Sequence, residues 1–382
     1  MTPNSRMPVW PLLLALLLAG CSNATYYAQA INGHFAVMRA AVPIDELIGD
    51  PASDALLKRQ LADVQAIREF ASRELALPDN GSYRSYADLG RPYAVWNVFA
   101  APELSLDGKR WCLLMVGCVN YRGYYQRQDA ERLAAQLRQE GYDTFVGGVP
   151  AYSTLGYFDD PVLNTFLRLG TQEVARTVFH ELAHQLLFVE GDTVFNESFA
   201  TAVEREGMRR WLASHATAET RAAFATQQAR KAAVMALMRD YRRKFAALYA
   251  SDLSASEQRH GKAELFAALR RDYADLKTSW GGYSGYDPFF ADDLNNAKLV
   301  SLALYSEWLP AFERLLDDEQ HDLPRFYQRV ARLAALDSDA RRELLQRTVA
   351  ATGESTQAAI IAGPQPTAGA LRVAASACGG CP

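Results

Sequence analysis

Apolar positions change rhythm along the chain, and each change marks a different predicted element. Residues 9–19 form an apolar run behind Arg6, too short to span a bilayer and placed like the core of an export signal. Residues 26–41 and 53–76 then carry apolar side chains at helical spacing, with Leu57, Leu61, Val64, Ile67 and Leu75 on one face of the second segment. Pro43 and the stretch 78–81 interrupt them. Residues 93–100, 111–119 and 144–149 are short, rich in β-branched or aromatic residues and bounded by turn residues, which predicts strands. A helix over 129–140, closed by Gly141, falls between the last two, and 151–157 suggests an edge strand before Asp159, Asp160 and Pro161. From Thr171 onward the pattern is helical. Two long Ala/Arg-rich segments, 218–249 and 256–278, are separated by 251–255 and predict an antiparallel pair. Glycines and aromatics at 280–286 break the pattern, and helices resume at 296–316 and continue to about residue 350. A small sheet followed by many helices is an α+β arrangement, predominantly helical, with no internal repeat.

The 382 residues therefore divide into an export signal over 1–20, a folded domain over 21–350 and a low-pattern tail over 351–382 expected to be disordered. Within the domain, the sheet region covers about 90–160, the helices bearing the candidate chemistry about 171–212, and a helical remainder 215–350. Hydrophobic residues at 49% and charged residues at 22% fit a globular chain. A net charge of -4 supplies no basic field for a polyanion, so nucleic acid is set aside as a partner.

The apolar run ends in Leu18-Ala19-Gly20-Cys21, the form of a lipobox, so Cys21 is expected to become a lipidated mature N-terminus. Ser22 directs such a lipoprotein to the periplasmic face of the outer membrane in a Gram-negative cell. Export makes disulfides admissible. Cys112 and Cys118 would sit about 20 Å apart on one straight strand, so they can bond only through a turn or bulge near Gly117. Cys378 and Cys381 lie in the tail, where a dispensable end is the simpler reading.

The residues with the sharpest chemistry are His180, Glu181 and His184. No glycine or proline interrupts 171–189, and Thr171 is an acceptable cap. Residues four apart share a helix face, so His180 and His184 can direct imidazole nitrogens at one ion, with Glu181 about 100° further round and within reach of water held there. A catalytic zinc takes three protein donors and leaves a fourth position open. Glu197, thirteen residues after His184 and beyond the turn-like 190–193, is the best third ligand; Glu190 and Asp192 are weaker candidates. Glu204 falls on the same helix face as Glu197 and can orient a histidine, and Asn196 belongs to the same supporting layer. Tyr283, Tyr286 and Tyr305 are candidate donors to a developing oxyanion. Gly282-Tyr283-Ser284-Gly285-Tyr286 lacks the final glycine of a nucleophile elbow, which excludes a serine hydrolase.

His180-Glu-Leu-Ala-His184 followed by Asn196-Glu197-Ser-Phe-Ala200 resembles the gluzincin pattern. The segments 111–124, 151–161 and 295–299 extend the likeness, so that from about 24 to 350 the chain resembles a bacterial family of zinc aminopeptidase lipoproteins. The resemblance implies a zincin-like fold, one zinc ion per chain, a peptide substrate and peptide-bond hydrolysis in the cell envelope. There is no Gly-x-Met-Glu-Asn segment of the kind that grips a free amine, and the spacer to Glu197 is shorter than in the large gluzincin aminopeptidases, so exopeptidase action rests on the family alone. From the residues, Glu181 would take a proton from water acidified by the metal and pass it to the leaving amine. The alternative is a non-catalytic envelope lipoprotein that binds a peptide or protein and keeps zinc as a structural clip, a role that would not need Glu181.

Overall fold

The computed structural model describes residues 10–113, 117–291, 293–302 and 308–361. In chain order its elements are α1 (Trp10–Ala40), β1 (Ala41–Pro43), α2 (Ile44–Gly49), α3 (Ala55–Arg73), β2 (Ser85–Ala87), β3 (Val95–Pro102), β4 (Trp111–Leu113), β5 (Gly117–Val119), β6 (Arg122–Tyr124), α4 (Arg127–Gln139), β7 (Tyr142–Val149), β8 (Val162–Leu163), α5 (Asn164–Leu167) and α6 (Thr171–Leu186). There follow α7 (Thr193–His215), α8 (Ala218–Tyr249), α9 (Ala255–Ser279), α10 (Asp287–Phe290), α11 (Asn296–Ser301), α12 (Leu309–Asp318), α13 (Leu323–Ala334) and α14 (Ser338–Ile361). The chain is α+β and predominantly helical, as its patterning indicates.

The strands form three small sheets, ordered β1-β2-β8, β6-β3-β7 and β4-β5, where the sequence indicated one. Strands of two or three residues such as β1, β2 and β8 are too short to show a period of two, which is why the first sheet left no trace in the pattern. The 111–119 segment is two strands folded on each other, Trp111 against Val119, and a disulfide joins the facing Cys112 and Cys118. Residues 151–157 add no strand; Leu155 and Gly156 both take positive φ, and the segment closes on itself through Asp160. The predicted disordered tail begins inside α14, which runs to Ile361. Tyr305, Cys378 and Cys381 fall outside the described residues.

β3 is buried along nearly its whole length because it is covered on both faces. Ala130, Ala134 and Leu137 of α4 pack against Trp96, Val98 and Ala100, while Phe99 and Phe145 face Ala297 of α11. The largest core gathers α3, α6, α7, α12 and α13 around Phe179, Phe199, Phe312 and Phe326. α8 and α9 form the expected antiparallel pair, with Phe245 against Phe266 and the Tyr241 hydroxyl donating to Asp272.

One close approach sets the geometry of the centre. A Cβ built on Gly207 of α7 would come within 2.8 Å of both Leu75 and the Phe179 ring, so the absence of a side chain lets α7 lie tightly against α6. Gly207→Leu is therefore expected to destabilise the fold by about 1–3 kcal/mol despite the better helix propensity of leucine. Chemical denaturation measures this directly, and an unchanged midpoint would show that the two helices have slack.

Candidate metal centre

α6 begins after Gly170, whose φ of 94° only glycine takes easily, and Glu173 stands in its first turn. Thr171 does not cap it; the Thr171 hydroxyl donates to Asp63 instead. α6 ends at Leu186, and the chain turns through Gly191, at φ 77°, into α7. Two side chains hold this turn. Asp192 caps α7 by accepting from the Phe195 amide and pairs with Arg341, and Asn196 bonds both the amide and the carbonyl of Val189 at 2.8 Å. Asn196 thus braces the turn and does not touch the histidines, and Glu190 is exposed, so neither acidic residue of the turn joins the centre.

The turn returns Glu197 to the histidine pair. His180 Nε2 and His184 Nε2 are 3.2 Å apart, and the Glu197 carboxylate oxygens lie 3.3 Å from the first and 3.7 Å from the second. Zinc–ligand distances of about 2.0–2.1 Å in a tetrahedron separate neighbouring donors by about 3.3–3.4 Å, so the three donors already stand at the edges such an ion requires. These residues can hold a metal ion. Electrostatics agree with geometry. Two imidazole lone pairs at this separation repel unless a proton on one ring or a metal ion lies between them.

Glu204 fixes the first imidazole. Its carboxylate accepts from His180 Nδ1 at 3.0 Å and from Arg176 at 3.2 Å, which leaves His180 Nε2 directed at the centre. Burial disfavours the charged Glu204, but Arg176 and His180 outweigh it and hold its pKa at about 2. Burial likewise opposes a charge on His180, yet the Glu197 and Glu204 carboxylates raise it to about 10. His184, with burial dominant, is lowered to about 4. The buried His184 Nδ1 has no hydrogen-bond partner among the described residues, so that ring is held by packing and by what its Nε2 faces.

Glu181 is a separate carboxylate beside the donors. Burial pushes its pKa up to about 7; His180 opposes the shift and Glu197 adds to it. Two tyrosines that sequence reasoning passed over, on distant segments, feel its charge. After burial, the charges that raise Tyr121 are Glu197 and Glu181, and the charge that most raises Tyr83 is Glu181. Tyr121, between β5 and β6, rests on Phe99, and the Tyr83 hydroxyl is buried with no partner among the described residues. Tyr283 and Tyr286 sit in the loop after α9. Tyr283 is exposed beneath Arg230, and Tyr286 feels Glu173 in the first turn of α6.

Asp160 ties the 151–160 loop to the same helix. It accepts from the Thr154 amide, and Gln185, next to His184, bonds the Ser82 hydroxyl and the Asn80 side chain. Burial raises the Asp160 pKa from 3.8 to about 6 against those hydrogen bonds.

A family model described as "Putative aminopeptidase" matches residues 25–345, and the chain belongs to that family. Membership makes the chain a peptidase at the coarse level, with a peptide as substrate. No curated protein and no solved structure matches the chain.

Glu204→Gln is expected to weaken divalent-metal affinity by roughly 10–100-fold, because the Nδ1 contact that orients His180 becomes a neutral one. Competition against a chromogenic chelator reads this; an unchanged affinity would show that Glu204 serves only Arg176. Because the folded Asp160 pKa lies above its unfolded value, the folded chain binds more protons between about pH 4 and 6 and loses up to about 3 kcal/mol of stability as pH rises through that window. Asp160→Asn should flatten that part of the slope in denaturation curves at pH 4 and pH 8; parallel curves for the two proteins would contradict it.

Proposed function

We propose that the chain is a zinc-dependent peptidase, an aminopeptidase by family, working in a zincin-like centre and anchored in the cell envelope by a lipid on Cys21. The observation that carries the catalytic reading is the pairing of three donors near tetrahedral spacing with a fourth group, the Glu181 carboxylate, that is not needed to hold the ion. A structural zinc would have no use for that group.

His180, His184 and Glu197 would hold the ion. When bound, a divalent ion supplies Lewis acidity, making water a better acid and a peptide carbonyl a better electrophile. Glu181 takes the proton of the attacking water and returns it to the leaving amine, and its raised pKa suits both directions of transfer near neutral pH. Glu204 and Arg176 keep the His180 ring from turning as charge develops. Tyr121, which feels the charges of both Glu197 and Glu181, joins Tyr283 and Tyr286 as a candidate donor for the oxyanion.

Among the described residues no helix is long and apolar enough to cross a membrane. Attachment through Cys21, with the domain on the periplasmic face of the outer membrane, is the reading that the sequence around that residue supports.

Glu181→Gln should retain bound metal and lose about 10²–10⁴-fold in peptidase turnover. Turnover is read on aminoacyl reporters and internally quenched peptides, with metal content measured on the same samples. Full turnover with metal retained would remove Glu181 from the mechanism, and cleavage of amino-blocked peptides alone would make the enzyme an endopeptidase. For the anchor, labelled palmitate should enter the wild-type chain and not Cys21→Ala; equal labelling of both would refute it.

A further inference from the structure

α1 runs without a break from Trp10 to Ala40, so the residue proposed to carry lipid and the first helix of the folded domain share one axis. The inner face of this helix is well occupied. Tyr26 and Val37 are buried, and a Cβ on Gly33 would collide with the Tyr125 ring. The outer face is Ala24, Thr25, Ala28, Ile31, Asn32, Phe35 and Ala36, all exposed, and it closes on the exposed Arg39 in the last turn. No Asp, Glu, Lys or Arg occurs from residue 7 to residue 38. A helix face turned to water normally carries charge, so an uncharged stripe with Ile31 at 55% and Phe35 at 45% exposure is out of place on a surface meant only for solvent.

The stripe does not end at the helix. Phe158 touches Phe35 and His34, with ring centroids 6.4 and 4.5 Å apart, and is itself 44% exposed; its neighbour Tyr157 is 68% exposed. The loop carrying both closes through Asp160, and its Gly156 lies against the Gln185 side chain on α6. Aromatic rings on one continuous apolar surface are suited to the boundary between lipid headgroups and acyl chains.

Position along α1 decides which occupant fits. At 100° and 1.5 Å per residue, the backbone at Phe35 stands within about 40° of Cys21 around the axis and about 21 Å along it, and Ile31 within about 80° and 15 Å. A lipid on Cys21 therefore brings this face to the bilayer that holds the lipid, and a peptide or a second chain would have to displace that contact.

We propose that Ile31 and Phe35 of α1, with Tyr157 and Phe158 beside them, form a second, non-covalent membrane contact that seats in the headgroup layer and fixes the metal centre against the membrane surface. The proposal rests on the lipid-anchor reading. A single embedded helix end would leave the domain free to swing; two contacts on one stripe remove that freedom. The 151–160 loop then carries the orientation to α6, one residue from His184.

The test places full-length acylated protein in phosphatidylethanolamine/phosphatidylglycerol vesicles with or without brominated acyl chains. Phe35→Trp and Phe158→Trp are compared with the wild type and with Leu253→Trp, an exposed site between α8 and α9. The added emission of the first two is expected to fall by roughly half or more with brominated lipid, and that of the third to stay unchanged. Equal emission at Phe35→Trp and Phe158→Trp with and without bromine, on protein that carries the palmitate label, overturns the contact and leaves the anchor standing. If no label enters Cys21, the anchor reading fails by itself. Flotation of the released chain with vesicles, lost in Phe35→Asp/Phe158→Asp, then still supports the contact, and absence of flotation overturns it. A wild-type dimer that the same double variant converts to a monomer in sedimentation, without bromine quenching, assigns the stripe to a second copy and overturns the membrane contact.

Discussion

The centre depends on a demand for a proton or a metal ion between His180 Nε2 and His184 Nε2. The two nitrogens are 3.2 Å apart and both face the Glu197 carboxylate, so two bare lone pairs there would repel each other. A proton can meet the demand, and so can a divalent ion. The chain imposes the demand through packing. Gly207 lets α7 press on Phe179 of α6, Asn196 and Asp192 fix the turn between the helices, and Glu197 follows that turn to the histidines.

Charges farther out stabilise that arrangement by pairing. Glu204 is almost fully buried and would be costly alone; Arg176 on one side and His180 Nδ1 on the other make it the strong acceptor that orients the ring. Glu173 bonds Arg176 in turn, so the chain from solvent to imidazole runs Glu173, Arg176, Glu204, His180. Glu181 stands outside this chain of pairs. Burial without a hydrogen-bonded cation leaves it with a raised pKa, which is the environment expected of a group that exchanges a proton.

Much of this was legible in the sequence because the centre is local. Four of the residues lie within 180–197 on two helices joined by a short turn, and the helical repeat fixes which side chains share a face. The spacing of Glu197 and Glu204 carried the rest of the metal group. Tyr83 and Tyr121, which feel the Glu181 charge, were not legible, since they lie beside strands of two or three residues with no readable period. The hairpin at 111–119 was hidden for a related reason: β-branched and aromatic residues mark strand content but not where a strand folds back. The 151–157 segment looked like a strand because its residues suit one; Asp160, buried and bonded to the Thr154 amide, makes a closed loop more favourable.

The central claim is that His180, His184 and Glu197 together bind one ion, and zinc-edge X-ray absorption on the loaded protein tests it most directly. A nitrogen and oxygen shell at about 2.0–2.1 Å with the outer scattering of two imidazoles is expected, reduced to one imidazole in His184→Ala. A spectrum with sulfur neighbours, or with water oxygens and no imidazole scattering, would contradict it.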